Sequence, residues 1–514
     1  MTTRRAVLSA GAAVAGTLLT GARAPGDPVV TCRAGRFIGQ RQAGVHLFRG
    51  IRYGRAARFR APVAEPARRS PIRADRFGPA CPQRGRRRPQ SEDCLHLNIW
   101  TTELDGRARS PVLVWIHGGA YAFGAPSDPE TDGFRLAARG GLVVVSVAHR
   151  LNLFGYLYLA RLDPAFADGS NAGQRDLVLA LEWVRDNIAA FGGDPGRITL
   201  LGQSGGGAKI ATLMAMPSAQ GLFHRAVTMS GQQVTVAEPD RADARARALL
   251  AYLRVAAPAD LLALPPERLL EGLAAADPFE AGSIDTGPVR DGITVPRHPF
   301  WPDPAPPGRH VPLMLGGTRD ETRDYWDPLS AEMKGLGWPD LAQRIAAELP
   351  VAAPVQPIVD AYRARMPEAS PADIFYAVTT DGRSWRPQLI TAEARARAGH
   401  PAWMYQVDFA SPVRPGRGAF HGIDIALLFG TLDAAGAGTG TGPAAQALSA
   451  LMQDRLIRFA ATGDPNGSGL PAWPAYRLPE RPTMIFDAVS RLDHDPRAWQ
   501  RALFAPYPYR QPGT

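Results

Sequence analysis

A serine surrounded by glycines is the clearest candidate for chemistry in this chain. It is Ser204, in the pentapeptide Gly202-Gln203-Ser204-Gly205-Gly206, which follows the apolar run 198–201 and precedes a helix-like run, 208–216. G-x-S-x-G is common by chance, but between a strand and a helix it predicts a sharp turn that lifts the serine hydroxyl above a sheet. We therefore predict that Ser204 is a nucleophile at a helix N-terminus, where negative charge is favoured.

A second glycine-rich turn could bind developing negative charge. The segment His117-Gly118-Gly119-Ala120 directly follows another apolar run. Small residues allow backbone N–H groups to approach a substrate oxygen, and an oxyanion hole needs such donors about 3 Å from that oxygen. We predict that the donors are the N–H groups of Gly119, Ala120 and Gly205.

A serine nucleophile needs a base, and the sequence offers ten histidines. His421 lies downstream of Ser204, in the chain order of serine, acid and histidine that is typical of α/β-hydrolases. His96 and His149 remain alternatives when the residues are considered alone.

The acid that orients the base should follow a strand between the serine and the histidine. The run 313–321 ends in Asp320 and Glu321, and both carboxylates fit that position. The residue types do not choose between the two.

The apolar runs predict the scaffold that positions these residues. They are continuous rather than alternating, which is typical of strands buried on both faces of a parallel sheet. A helical period separates two of them, at residues 174–190, and strands separated by helices indicate an α/β sheet. No Gly/Ser linker divides the chain, so we predict one domain over residues 29–508. The predicted strands are 111–116, 142–147, 198–201, 226–229, 311–315 and 402–407.

Two further segments, 240–296 and 338–377, look helical and are punctuated by prolines. We expect them to be insertions that cover the sheet.

The first residues are typical of an export signal. Arg4-Arg5 precede an uncharged stretch from Ala6 to Leu19, and Ala22-Arg23-Ala24 follows. This is the order of a secretory signal, and the arginine pair resembles a twin-arginine signal. We predict that residues 1–24 direct export.

Composition excludes several classes of protein. The 514 residues are 45% hydrophobic and 21% charged, which is typical of a globular protein. Beyond the signal there is no run of about 18 apolar residues, so no membrane insertion is expected after its removal. The net charge is +10, but the arginines are interspersed with acids, which argues against a nucleic-acid partner. The local run Arg84 to Arg88 is either a solvated basic loop or an attractor of anionic esters.

Ordered stretches from Phe48 to Tyr476 resemble type-B carboxylesterases, the family that includes cholinesterases and bacterial para-nitrobenzyl esterases. The resemblance implies an α/β-hydrolase fold, with a large, mostly parallel sheet, flanking helices and helical insertions over the active site. The matching stretches are 48–53, 58–62, 91–98, 115–121, 183–195, the serine turn, 317–321, 420–422, 459–466 and 473–474.

The resemblance assigns roles to individual residues. Ser204 would be the acylated nucleophile, His421 the base and Glu321, rather than Asp320, the acid. Ser230 would be a buried serine near these three. Cys81 and Cys94 would form the family's first disulfide.

The chain departs from the family at three positions. Gln203 and Gly205 stand where the family usually has Glu and Ala. Gln203 removes a negative charge beside the site, which argues against a preference for cationic choline esters. His149 stands where Tyr is common.

The sequence therefore predicts a secreted serine carboxylesterase that acts on small-molecule esters and needs no metal or organic cofactor. It does not indicate an oligomeric state. One alternative is a specialised esterase for a bulky natural product, or a lipase or amidase. Another is a non-catalytic binding protein related to cholinesterases, which predicts loss of Ser204 or His421, yet both are present.

Overall fold

The computed structural model describes residues 26–85, 89–279, 282–349, 354–511 and 513. The proposed signal at residues 1–24, and Arg86, Arg87 and Arg88, lie outside this part of the chain. Sixteen strands form within the described ranges: β1 (Val29–Cys32), β2 (Gly35–Ile38), β3 (Gln40–Gln42), β4 (Val45–Arg52), β5 (Gly54–Arg55), β6 (Val63–Ala64), β7 (Ile72–Arg73), β8 (His96–Thr101), β9 (Ser110–Ile116), β10 (Val143–Val147), β11 (Gly193–Gln203), β12 (Arg225–Met229), β13 (Leu313–Thr318), β14 (Ala402–Val407), β15 (Pro482–Phe486) and β16 (Arg491–His494).

Helices connect most of the later strands. The α-helices of the described residues are α1 (Phe134–Gly140), α2 (Asn152–Tyr156), α3 (Ala172–Asn187), α4 (Gly205–Leu213), α5 (Pro239–Leu253), α6 (Pro266–Glu271), α7 (Ala331–Lys334), α8 (Trp338–Glu348), α9 (Val355–Arg365), α10 (Pro371–Thr379), α11 (Arg386–Arg397), α12 (Ile423–Phe429), α13 (Pro443–Thr462) and α14 (Ala498–Phe504). A π-helical turn, Thr380–Trp385, joins α10 to α11.

An eleven-stranded sheet forms the centre of the fold, in the order β16-β15-β14-β13-β12-β11-β9-β10-β8-β4-β3. The strands from β10 to β15 along this order pair in parallel, and those at both edges pair antiparallel. The prediction of a large, mostly parallel α/β sheet is confirmed. Each of the six predicted strands corresponds to one of β9 to β14.

The continuous apolar runs arise because each central strand is covered on both faces. In β9, Val114 belongs to one hydrophobic core and its neighbour Trp115 to another, since successive side chains point to opposite faces. The first core includes Leu181 of α3 and Ile210 of α4, and the second includes Phe459 of α13. Helices therefore lie on both sides of the sheet, and a strand between them cannot alternate apolar with polar residues.

The predicted insertions are helical, as expected. Segment 240–296 contains α6 and most of α5, and segment 338–377 contains α8, α9 and most of α10. The helices α8, α9 and α10 form a separate hydrophobic cluster that also includes Phe504 of α14. None of the described helices is both long and apolar enough to cross a membrane.

The disulfide expected between Cys81 and Cys94 is absent from this structure, in which both residues are free thiols. Their spacing in the sequence shows only that a bridge is possible, because the bond also requires a specific side-chain geometry. Here the two buried thiols share a hydrogen bond, which together with burial raises the pKa of the Cys94 thiol. The Cys81 Sγ also accepts a hydrogen bond from the Leu151 N–H, at 3.3 Å.

Candidate active site

Ser204 occupies the turn between β11 and α4. Its backbone has φ 55° and ψ −126°, a strained conformation for a non-glycine residue, and its N–H donates to the carbonyl of Met229 at 2.7 Å. The glycines on either side are required because any larger residue would collide with the backbone. A Cβ on Gly202 would lie 2.6 Å from the carbonyl carbon of Gly206, and a Cβ on Gly206 would lie 2.0 Å from the carbonyl oxygen of Ile116. The serine is thus held at the carboxyl end of a central strand.

The three predicted oxyanion donors lie beside the serine. Gly119 and Ala120 have φ of +85° and +50°, and a Cβ on Gly205 would lie 2.0 Å from the carbonyl oxygen of Ala120. Among the hydrogen bonds of the described residues, none uses the N–H groups of these three residues. All three residues line the same cavity as Ser204. They can therefore donate to a bound ligand without breaking an existing hydrogen bond.

Glu321 is buried and pairs with the partly buried His421, in the segments that follow β13 and β14. The Nδ1 of His421 bonds to the Oε2 of Glu321, and the Oε1 of Glu321 accepts from the Thr318 N–H at 2.8 Å. Burial alone would lower the pKa of His421, but the charge of Glu321 and its hydrogen bond raise that pKa above its ordinary value. The carboxylate thus fixes the ring and stabilises its protonated form.

The other acid and base alternatives lie elsewhere. Asp320 accepts a hydrogen bond from the Ala419 N–H at 2.9 Å and has ion-pair contacts with Arg319 and Arg323. His149 is buried and stacks on the ring of His117 at a centroid distance of 4.7 Å.

The second nitrogen of His421 contacts a residue next to the serine rather than the serine itself. The amide Nε2 of Gln203 lies 3.1 Å from the His421 Nε2, and no hydrogen bond of the described residues joins that nitrogen to Ser204. The hydroxyl of Tyr325 lies 3.2 Å from the His421 Nδ1, with the two rings edge to face at 4.9 Å. An amide N–H can donate to the unprotonated Nε2, so Gln203 and Ser204 compete for one lone pair.

Two polar residues lie close to the pair. Asp424 is completely buried, and burial and the charge of Glu321 raise its pKa from 3.8 to about 7. The Ser230 N–H donates to the Gly316 carbonyl at 2.7 Å, and its hydroxyl is buried without a hydrogen-bond partner among the described residues. Ser230 also lines the cavity.

A cavity of about 560 Å³ opens above Ser204 and His421. Its aromatic wall consists of Tyr121, Phe123 and Tyr325. Of the two predicted insertions, segment 240–296 reaches the cavity through Asp285, Gly287 and Pro288, outside its α-helices, and no described residue of segment 338–377 lines it. The π-helical turn that follows contributes Arg383 and Ser384. Further lining residues are Asp324, Pro387, Gln511 and Gly513.

The sequence did not indicate the contacts of Tyr325 with His421, or the contribution of Gln511 and Gly513 to the cavity. Nothing in the local pattern marks these residues, because the contacts join segments far apart in the chain. Of the arginines in the basic loop, only Arg84 is among the described residues, and it donates to the Glu271 carbonyl at 3.1 Å. Within the described ranges, no group of three or more His, Cys, Asp and Glu side chains could hold a metal ion.

Comparison with known proteins identifies the family. Residues 26–500 match the Carboxylesterase family. The chain belongs to this family. The carboxylesterase is 32% identical to the para-nitrobenzyl esterase of Bacillus subtilis (strain 168), over 93% of this chain and 98% of that relative. It is 33% identical to the phenmedipham hydrolase of Pseudarthrobacter oxydans, over 89% and 94% of the two chains.

Solved structures agree with this assignment. The carboxylesterase superimposes on the carboxylesterase of Geobacillus stearothermophilus with a TM-score of 0.82 and 35% identity, over 92% of this chain and 99% of the other. An esterase of Clostridium hathewayi described as able to hydrolyse aliphatic aromatic polyesters gives a TM-score of 0.78 and 32% identity, over 93% and 98%. The fold is therefore that of an α/β-hydrolase, and the enzyme is a carboxylic-ester hydrolase.

Proposed function

We propose that this carboxylesterase hydrolyses small esters through an acyl-enzyme on Ser204. The observation that carries the proposal is one cavity lined by Ser204, His421 and the residues of three N–H donors that have no partner among the described residues. Glu321 bonds to the other ring nitrogen of His421. These are the components of nucleophilic acyl transfer: an activated hydroxyl, a base held by an acid, and an oxyanion hole.

The reaction proceeds in two halves. The His421 Nε2 leaves Gln203 and takes the hydroxyl proton of Ser204 as the Oγ bonds to the ester carbonyl carbon. The carbonyl oxygen becomes an oxyanion that the N–H groups of Gly119, Ala120 and Gly205 bind. His421 then protonates the alcohol as its bond to carbon breaks, leaving the acyl group on Ser204. In the second half, water attacks the acyl carbon as His421 takes a proton from that water. The bond to the Ser204 Oγ then breaks, His421 returns the proton to that oxygen, and the carboxylic acid leaves.

The cavity supports short- to medium-chain or aryl esters as substrates. Its volume falls in the range of sites for small ligands, and its aromatic wall offers flat apolar contact. The charged residues Asp285, Asp324 and Arg383 also line it, which disfavours a long acyl chain there. The absence of a carboxylate at position 203 argues against choline esters.

The decisive experiment compares the wild-type enzyme with Ser204→Ala on para-nitrophenyl esters of two to sixteen acyl carbons. We expect the wild type to prefer the short or medium esters and the variant to lose activity on all of them. After an acid quench, mass spectrometry should find the acyl group on the peptide that contains Ser204. Folded wild type without activity on any ester, or undiminished activity in Ser204→Ala, would refute the proposal.

We also propose that residues 1–24 export the enzyme by the twin-arginine route. Replacing Arg4 and Arg5 by lysine should retain esterase activity in the cytoplasmic fraction, because the pair is the recognition element of such signals. Unchanged export of that double variant would exclude this route.

A further inference from the structure

A lysine lies buried beneath the oxyanion loop, where the reaction as described does not use it. Lys209 is on α4, which begins beside Ser204, and its side chain is 0% exposed. Its Nζ donates to the carbonyl oxygen of Ala120 at 2.7 Å and to that of His117 at 3.3 Å. The ammonium therefore binds both ends of the loop from His117 to Ala120.

No carboxylate of the described residues forms an ion pair with Lys209. The buried Arg150 does have such a partner, Asp176 at 2.7 Å, whereas the buried Arg395 resembles Lys209 in donating to backbone carbonyl oxygens. Burial lowers the pKa of Lys209 to about 7, so placing the ammonium here is costly. Among the described residues, two backbone oxygens and the face of the Tyr121 ring, 5.3 Å away, offset this cost.

The choice of lysine is itself informative. The chain has 58 basic Lys and Arg residues, and only two of them, Lys209 and Lys334, are lysines. Lys334 is exposed at the end of α7. An ammonium is more compact than a guanidinium and donates in three directions, which suits two carbonyl oxygens in a closed space. The one buried lysine thus occupies a position where arginine's planar fork is a poor match.

The loop above Lys209 needs such support. Gly119 and Ala120 are consecutive residues with positive φ, and for Ala120 this conformation is strained. Strained backbone persists only where its surroundings hold it. The two hydrogen bonds from Lys209 fix carbonyl oxygens on either side of the Gly119 and Ala120 N–H groups.

We propose that Lys209 is a positioning residue for ester hydrolysis, whose Nζ holds the N–H groups of Gly119 and Ala120 where the oxyanion forms. This inference rests on the proposed acyl-enzyme mechanism. The imidazole of His149 does not oppose the charge. Burial, followed by the charge of Lys209, lowers the pKa of His149, so that imidazole stays neutral beside the lysine.

The test replaces Lys209 by Met, an unbranched side chain that is one atom shorter and lacks the donors, with Lys334→Met as the matched control. We expect kcat of Lys209→Met to fall about tenfold to a hundredfold, with KM within about twofold, because the donors act on the transition state. Lys334→Met should match the wild type. Lys209→Gln, which can still donate to one carbonyl, should lie between the two.

Two readouts separate positioning from general stability. An aryl trifluoromethyl ketone forms an oxyanion adduct with a serine, whereas the corresponding methyl ketone binds without a stable adduct. Lys209→Met should lower the affinity for the trifluoromethyl ketone in proportion to its loss of kcat. The affinity for the methyl ketone should not change. The amides of Ala122 and Phe123, which bond the Gly119 carbonyl at 3.0 Å, should exchange hydrogen faster in the variant.

The inference is overturned if folded Lys209→Met retains both kcat and the affinity for the trifluoromethyl ketone. It is also overturned if the affinities for both ketones fall equally, or if neither Lys209→Met nor Lys209→Gln folds, since Lys209 would then serve stability alone. Ser204→Ala is measured in parallel. Activity in that variant refutes the acyl-enzyme mechanism itself, whereas an inactive Ser204→Ala beside an unimpaired Lys209→Met refutes only the role of Lys209.

Discussion

The contact between Gln203 and His421 predicts how the pH dependence of the esterase responds to one added charge. The change is Gln203→Glu, which places a carboxylate where the amide now lies, 3.1 Å from the His421 Nε2. A carboxylate there stabilises the protonated imidazole and so raises the pKa of His421 beyond the effect of Glu321. Because the base must be unprotonated to act, activity should disappear at pH values where the wild type still works.

The size of the shift follows from the distance and the burial. Two unit charges about 4 Å apart interact by about 4 kcal/mol at an effective dielectric constant of 20. At about 1.4 kcal/mol per pH unit this corresponds to roughly three units. Position 203 is 4% exposed, so the desolvation of the new carboxylate offsets a large part of that energy. We therefore expect the acidic limb of kcat/KM to move upward by roughly one to two units.

The assay is the pH profile of kcat/KM for a para-nitrophenyl ester, with Gln203→Met as the uncharged control of similar size. In Gln203→Glu the limb should move upward and the alkaline plateau should survive. In Gln203→Met the limb should not move upward, because no charge is added. An acidic limb in Gln203→Glu that coincides with that of the wild type would show that residue 203 is not beside the imidazole in the working enzyme.

Three further predictions concern two buried carboxyl groups and a glycine that packs against Ser204. In the wild type, the Asp176 carboxylate accepts three hydrogen bonds from Arg150, of 2.7, 2.9 and 3.0 Å. Asp176→Asn leaves Arg150 without this carboxylate and should lower the free energy of unfolding by about 3–5 kcal/mol, measured by urea denaturation. Gly231→Ala would place a Cβ 1.8 Å from the Ser204 carbonyl oxygen. The rate of ester hydrolysis should fall below roughly a tenth of the wild-type rate, even in variant protein that folds. Asp424→Asn removes a carboxyl whose pKa is raised by burial and then by a neighbouring carboxylate, a shift that costs stability as pH rises from about 4 to 7. The melting temperature of that variant, relative to that of the wild type, should therefore rise between pH 5 and pH 8.

Matched controls exist for each of the three. Asp433→Asn breaks an exposed ion pair with Arg135 and should change stability by less than about 1 kcal/mol, without the pH trend of Asp424→Asn. Gly442→Ala meets no atom within 4 Å and should leave activity intact. Equal effects of a buried change and its control, or a flat melting difference across pH, would contradict the reasoning.

The sequence predicted those features that depend on local pattern. Runs such as 142–147 predicted central strands because burial on both faces selects apolar, β-branched residues. Ser204 and its glycines were recognisable because a tight turn tolerates so few residue types. The structure brings Glu321, and not Asp320, against His421, a choice that the residue types left open and the family resemblance made.

Features that depend on long-range contact were not predictable. Tyr325 meets His421 from a separate loop, and Gln511 reaches the cavity from near the C-terminus. The thiols of Cys81 and Cys94 remain unbridged although their spacing allowed a bond. Lys209 carried a usable signal, a lone lysine in an apolar helix, but only the fold shows which carbonyl oxygens it meets.

The burial of one lysine and the exposure of the other also make this esterase simple to derivatise. Once the α-amino group is blocked, an amine-reactive dye or support should couple to the folded protein at Lys334 alone, so every molecule would be attached through α7. Lys209 should react only when the interior opens. The stoichiometry of labelling therefore reports the fraction of unfolded enzyme, and oriented immobilisation requires no engineered residue.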